Sequence, residues 1–388
     1  MNIRIQKFLL YLFSITLVFE SWNGVSYGGN SIPKLVAIFL IIALLFGGGK
    51  QEKLISIRQF IIPISILGIL IVIISLFNYK GDPFTMLLLP GVVLNIVIFI
   101  FILRFIRANP LAGYQMLQLL VVGILGVSIL FLIGIGVDYE EGRLSIFGEN
   151  SNKVGLYAII AILFVLSTVF ENAKKYGRYR YLLLITIAPL LNMIAQSGSR
   201  VTFVSFILLL LLFFILRGGK NTTKKIVFLV VGVVSVYLAF SYLMSFDILR
   251  NRMLNTVEDR DLSGRDLIWE TYFPLVQKNP VFGVGLSGFT ETSLKNYNLF
   301  VSPHNVFLEV LIYSGIIGFI FFALFLYRIL RYTYYIMKDF NFSLPLLLVL
   351  LVILACFSGQ FLNVKPFWMI LAFALSVPKE KPRLSSNA

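Results

Sequence analysis

Apolar runs long enough to cross a bilayer recur along almost the whole of this 388-residue chain. A hydrocarbon core about 30 Å thick needs roughly 20 apolar residues in helical form, because nothing inside it would satisfy a bare backbone. The runs fall at 6–22, 33–47, 58–77, 84–106, 114–137, 153–171, 179–196, 200–217, 226–246, 303–327, 343–361 and 364–377. The second and the last are short, so the pattern predicts ten to twelve spans. The runs are continuous, without strand-like alternation, which argues against a membrane β-barrel and predicts an all-α integral membrane protein. With 59% hydrophobic residues and a mean hydropathy of +0.91, the chain carries more apolar surface than a water-facing exterior accommodates.

A net charge of +15 would suggest nucleic acid in a soluble protein. Here the basic residues sit mainly in short loops between apolar runs, where they set orientation and give no reason to expect a nucleic-acid partner. They cluster as Arg4/Lys7, Lys50/Lys53/Arg58, Arg104/Arg107, Lys174/Lys175/Arg178/Arg180, Arg217/Lys220/Lys224/Lys225, Arg328/Arg331/Lys338 and Lys379/Arg383. Every one of these segments falls on one side if the N-terminus is cytoplasmic. The positive-inside rule therefore predicts cytoplasmic termini and puts most acidic residues on the opposite face. The first run follows Arg4 and Lys7 without a small-x-small cleavage site, and reads as a retained span. One cysteine, Cys356, rules out an intramolecular disulfide, and one histidine argues against a transition-metal site.

The chain divides into an N-terminal bundle of nine spans (1–246), a long non-cytoplasmic loop (247–302) and a C-terminal part (303–388). A loop of that length in a membrane protein is usually functional. Ser263 is a candidate N-cap for an amphipathic helix from Gly264 to Lys278, with Leu267, Ile268, Phe273 and Leu275 suited to the membrane surface. Asn279-Pro280 and the glycines between Val281 and Gly288 predict a stop and a tight loop.

The informative residues are cations on the face where orientation disfavours them. Arg200 closes Ser197-Gly-Ser-Arg and opens a span from the non-cytoplasmic side. Helix N–H groups, a glycine turn and a guanidinium suit a phosphate, while lipid headgroups or an acidic loop residue would also explain the arginine. Arg265 lies near Arg250, Arg252 and Arg260; it is either in a salt bridge with Asp259, Asp261 or Asp266, or a bidentate clamp for a diphosphate. His304, in Ser302-Pro-His-Asn305, is predicted in the first helical turn behind Pro303. There the helix dipole keeps the imidazole neutral, as a capping group or as a proton acceptor for a hydroxyl. Glu309 follows about one and a half turns on. Asp138, Glu140 and Glu141 precede Phe147-Gly-Glu-Asn-Ser-Asn152, and read as a solvated acidic loop or a weak divalent-cation site.

In this order the motifs resemble the O-antigen polymerase and ligase superfamily of bacterial envelopes, the Wzy-type polymerases and WaaL-type ligases. The residues that carry the resemblance are Gln196-Ser-Gly-Ser-Arg200, Gly264-Arg-Asp-Leu-Ile-Trp269, Asn279-Pro-Val-Phe-Gly-Val-Gly285, Pro303-His-Asn305, Glu309 and Gly315-Ile-Ile-Gly318, with Phe147-Gly-Glu-Asn150 similar to an outer-loop segment of the family. The resemblance implies a metal-independent, cofactor-free, inverting glycosyltransferase of the bacterial inner membrane, of the membrane-embedded GT-C-like type. Its donor and acceptor would be undecaprenyl-diphosphate-linked oligosaccharides, its site would face the periplasm, and its partners would be a flippase and a chain-length regulator. On that analogy Arg200 and Arg265 hold the diphosphate and His304 is or orients the base. Ser197, Ser199, Arg250, Arg252, Asn150, Asn305 and Glu309 are expected around the substrate. The Pro-His-Asn and Ser-Gly-Ser-Arg forms look more like a polymerase than a ligase. A transporter would instead carry polar residues at mid-membrane; Asn95 and Asn192 are the main ones here, and the polar motifs gather at one face.

Overall fold

The apolar runs fold as helices whose ends are set by proline, asparagine and glycine. They are α1 (Ile3–Thr16), α2 (Ile32–Phe46), α3 (Leu54–Phe77), α4 (Pro83–Ala108), α5 (Pro110–Leu132), α6 (Ser151–Phe170), α7 (Ile187–Ser197), α8 (Arg200–Arg217) and α9 (Thr222–Met244). Three more helices, α10 (Asp247–Glu258), α11 (Arg265–Lys278) and α12 (Gly285–Tyr297), precede α13 (Val306–Phe340), α14 (Leu344–Cys356) and α15 (Lys365–Ser376). The computed structural model describes residues 3–22, 31–140, 142–171, 177–217, 221–258, 264–359 and 362–377.

Among the described residues, eight helices are long and apolar enough to cross a membrane: α3, α4, α5, α6, α8, α9, α13 and the helix from Arg178 to Gln196 that ends in α7. With the shorter apolar helices α2, α14 and α15, this is an all-α, multi-pass membrane protein. Burial separates the bundle's interior from its lipid-facing rim. In α6, 89% of the span window is buried, against 17% in α9, so α6 is a central pillar and α9 a peripheral one. At one end, Glu171 ties three segments together. Its Oε1 accepts from the backbone and hydroxyl of Ser343 (3.0 and 2.6 Å), its Oε2 accepts from Ser167 Oγ (2.6 Å), and Arg217 lies 3.8 Å away.

The described parts of the 247–302 segment are built into the bundle. Gly283 and Gly315 make this possible, with φ of 71° and 60°. α13 breaks at Gly315 (ψ −162°), a conformation almost confined to glycine, and the 280–284 turn fits into the break. Ile316 N–H donates to Pro280 O (2.9 Å), and Val284 N–H donates to Ile312 O (2.7 Å). Backbone groups that the helix leaves unpaired are thus satisfied by the inserted turn, as an apolar setting demands. Below the turn, Leu286 N–H reaches Ser75 Oγ (2.8 Å) and Ser287 Oγ reaches Ser75 O (2.6 Å), locking α12 onto α3.

Several sequence expectations are corrected here. The predicted span 114–137 is helical only to Leu132; Val137–Glu140 is the first strand, β1, of an antiparallel hairpin with β2 (Arg143–Ile146), paired from Val137↔Ile146 to Glu140↔Arg143. The stretch was too short to register against the apolar runs around it. Residues 178–186 form a 3₁₀ helix, and the 343–361 span is helical only over α14. The glycines at 285 and 288 lie in α12, because Gly285 (φ 72°) packs its bare Cα against the Ser75 backbone. In α11 the expected helix is present with Gly264 as its left-handed cap; Ser263, Asp259, Arg260 and Asp261 lie outside the described residues. Leu267 and Phe273 are exposed as a surface-lying helix requires, and Tyr272 is its buried anchor.

Candidate active site

Local capping chemistry brings four helix N-termini to one end of the bundle. Asn150 caps α6, its Oδ1 accepting from Asn152 N (2.9 Å). Gly198, left-handed at φ 56°, ends α7 and turns the chain into α8, where Ser199 Oγ accepts from Thr202 N (3.3 Å). Arg265 is the first residue of α11, and Asn305 caps α13 by accepting Leu308 N (3.1 Å). Each N-terminus presents N–H groups and the positive end of a helix dipole.

Between them lies an outer chamber of about 280 Å³ whose wall carries Arg143, Arg200, Arg252, Arg265 and His304. Neutral oxygens among the described residues accept from three of these arginines. Arg143 Nε donates to Ser197 O (3.1 Å) and its terminal nitrogen to Asn152 Oδ1 (2.8 Å). Arg265 donates to Ser358 Oγ (3.3 Å), and Arg200 donates to Thr256 Oγ1, which itself donates to Arg252 O (2.7 Å). Burial lowers the Arg265 pKa, and the charges of Arg200 and Arg252 press it further in that direction. An arginine remains protonated through such a shift, so the chamber is a fixed concentration of positive charge with forked donors. That is what a phosphate or diphosphate requires.

His304 precedes α13 by two residues and adopts a left-handed conformation (φ 49°), which corrects its predicted place in the first turn behind Pro303. Asn305 takes the capping position, because its carboxamide reaches the Leu308 amide. Buried and half-buried side chains hold the segment before it. Val301 N–H donates to Ser293 Oγ (2.7 Å), Tyr272 Oη to Val301 O (2.6 Å) and Trp269 Nε1 to Pro303 O (2.8 Å). His304 N–H donates to Ser302 Oγ (3.1 Å), whose own proton goes to Glu309 Oε1 (2.9 Å). The His304 pKa is lowered by burial first and by the nearby Arg265 charge second, so the ring is neutral near pH 7 and able to accept a proton.

Of the expected site residues, the structure brings Asn150, Ser199, Arg200, Arg252, Arg265 and His304 to the same wall. Four others are placed differently. Ser197 is buried behind it, with its hydroxyl on Ile194 O (2.7 Å) and its carbonyl on Arg143. Asn305 is a cap, Glu309 is buried beneath the His304 turn and Arg250 pairs with Asp247 at the surface of α10. The acidic stretch is split: Asp138 and Glu140 are exposed on β1, whereas Glu149 turns inward to Lys153 (2.9 Å), and Glu141 lies outside the described residues. Three polar wall residues were missed in the sequence: Arg143, Asn152 and Ser358. Arg143 follows Glu140 and Glu141 in a stretch read only for its carboxylates, and Ser358 lies in a stretch read as a span.

Residues 185–323 match the family model Wzy_C, described as O-antigen ligase. No curated protein matches the chain. The matched stretch contains Arg200, Arg252, Arg265 and His304; Arg143, Asn150, Asn152 and Ser358 complete the chamber from outside it. Residues 185–323 thus carry a domain of the O-antigen polymerase and ligase superfamily.

Proposed function

We propose that the chain polymerises lipid-linked oligosaccharide repeat units, moving the growing glycan from undecaprenyl diphosphate to the next unit. The observation that carries this reading is the meeting of four arginines and a neutral histidine at one chamber. The diphosphate would occupy the arginine wall, with the lipid tail between helices. His304 takes the proton of the acceptor hydroxyl as that oxygen attacks the anomeric carbon. The bond from that carbon to the phosphate oxygen breaks, a glycosidic bond forms with inversion, and undecaprenyl diphosphate departs with its added charge held by guanidinium groups. Fixed arginines supply here the electrostatic stabilisation that a metal ion supplies elsewhere, which supports a metal-independent reaction. The charge distribution supports a site on the periplasmic face of the bacterial inner membrane with cytoplasmic termini, and the reaction would connect the protein with a flippase and a chain-length regulator.

A second reading, a ligase that moves finished glycan to lipid A–core or a protein, is favoured by the description of the matching family. Complementation of a strain lacking the gene, with surface glycan resolved by size, separates the two. Single repeat units on the lipid anchor are expected on loss of a polymerase. Long glycan stranded on undecaprenyl diphosphate would make the protein a ligase. Normal glycan with Arg200→Ala, Arg265→Ala and His304→Ala at wild-type abundance would remove the site assignment.

A further inference from the structure

A second cavity of about 240 Å³ continues inward from the arginine chamber. The two share Asn150, Asn152, Ser199, Val201, His304 and Ser358, so His304 stands at their junction. The inner one is chemically different. Among the described residues no arginine lines it, and the one cation there, Lys153, is paired with the buried carboxylate of Glu149 at 2.9 Å. Such a wall does not attract a second phosphate.

Its lining is divided between hydrogen-bonding and apolar groups. Asn150 and Asn152 commit their carboxamide oxygens to the Asn152 amide and to Arg143, and so offer their NH₂ groups as donors. The Thr202 and Ser358 hydroxyls stand with them, while Leu156 and Phe367 supply the apolar part. The Thr202 hydroxyl donates to Ser199 Oγ (2.9 Å) and Ser358 Oγ accepts from Arg265, whereas a prenyl chain there would take water from the half-buried Asn152 NH₂ group and give no acceptor in return, at a cost of roughly 1–3 kcal/mol. A pyranose ring matches both surfaces, with hydroxyls for the amides and C–H faces for the ring of Phe367. The volume is below the range of roughly 300–1,000 Å³ usual for drug-sized ligands, and suits one sugar rather than a repeat unit.

We infer that the inner chamber is a subsite for the terminal sugar of the acceptor, which it holds with the attacking hydroxyl against His304. The inference rests on the glycosyl-transfer reading above. With the diphosphate on the arginine wall, the nucleophile must reach the anomeric carbon from the other side of the histidine, and the inner chamber lies there.

The test uses purified full-length protein in detergent, with Ala355→Leu and Ala355→Phe, which narrow the inner chamber and touch no arginine. Lipid-linked repeat units from a strain lacking the gene serve as donor. The methyl glycoside of the repeat unit, which has no diphosphate, serves only as acceptor. The KM for the methyl glycoside is expected to rise roughly tenfold or more, with pyrophosphate binding by calorimetry and the donor KM unchanged. Unchanged acceptor KM overturns the subsite, and a rise in donor KM alone assigns the chamber to the donor's sugar instead. If the Ala355 variants lose pyrophosphate binding through misfolding, Thr202→Val, which keeps the shape and removes one hydroxyl, must show the same split. Failure of the wild-type protein to elongate any acceptor removes the transfer reading itself; elongation with indifferent variants removes the subsite alone.

Discussion

Ser302 Oγ donates to Glu309 Oε1 at 2.9 Å, and the same oxygen accepts the amide proton of His304 at 3.1 Å. Glu309 is 3% exposed and absent from the chamber wall, so it acts on the histidine through the backbone of the turn. A left-handed non-glycine residue persists only where its surroundings over-determine it, and this buried relay is part of what does so.

Glu309→Ala is therefore expected to lower kcat about a hundredfold, the scale of an ångström-sized misplacement, while leaving pyrophosphate binding intact. Glu309→Gln keeps an acceptor oxygen for Ser302 and should recover most of the rate. Equal loss in both variants, with pyrophosphate binding abolished, would mean a general packing role.

The pH profile tests His304 directly. Its pKa lies below the ordinary 6.5, so the ring is unprotonated at neutral pH; with His304 in the proposed role of base, activity should fall as pH drops through that lowered value. Removing the Arg265 charge relieves one cause of the shift. In Arg265→Gln the acidic limb of kcat should accordingly move to higher pH, alongside the weaker anion binding. An acidic limb that stays in place would detach the histidine from the profile.

Arg143 should matter as much as the arginines of the matched stretch. Its side chain reaches the Ser197 carbonyl and the Asn152 carboxamide at the chamber wall. Charged hydrogen bonds contribute about 1.5–3 kcal/mol, so Arg143→Ala and Arg200→Ala are each expected to weaken pyrophosphate binding by about tenfold or more. Arg250→Ala, at the surface with Asp247, should leave it near wild type. Calorimetry on the purified variants reads all three.

Gly315→Ala and Gly283→Ala should destabilise the protein more than ordinary glycine substitutions. A Cβ at Gly315 would stand 2.2 Å from Val281 O, and one at Gly283 2.4 Å from Ile312 O. Backbone strain alone costs roughly 1–3 kcal/mol at such positions, and the inserted turn would have to withdraw. Lower thermal stability in detergent, together with faster proteolysis within 279–284, is the expected signature. A variant as stable as wild type would mean that the turn and the helix tolerate separation.

The spans and three residues of the candidate site were legible for one reason: each departs from its surroundings. Apolar runs stand out from charged loops, and Arg200, Arg265 and His304 stand out where orientation disfavours cations. What stayed hidden depends on contacts distant in sequence. Glycines 283 and 285 look like a loop until Gly315 and Ser75 are beside them. Arg143 looks solvated until the hairpin folds its strand onto α6 and α7. Ser358 looks like part of a span until Arg265, 93 residues earlier, donates to it. Glu309 was read near the substrate because sequence spacing gives the face of a helix but not which neighbour fills it.

The turn seated in the break of α13 also sets a sequence of events during synthesis. Arg143, Arg200, Arg252 and Arg265 all leave the ribosome before Gly315, yet the segment bearing Arg265 has no socket until α13 is threaded. Ser358, which receives the Arg265 guanidinium, comes later still. A nascent chain can therefore occupy the membrane through α9 before the candidate site is complete, and the chamber closes only as the last spans arrive.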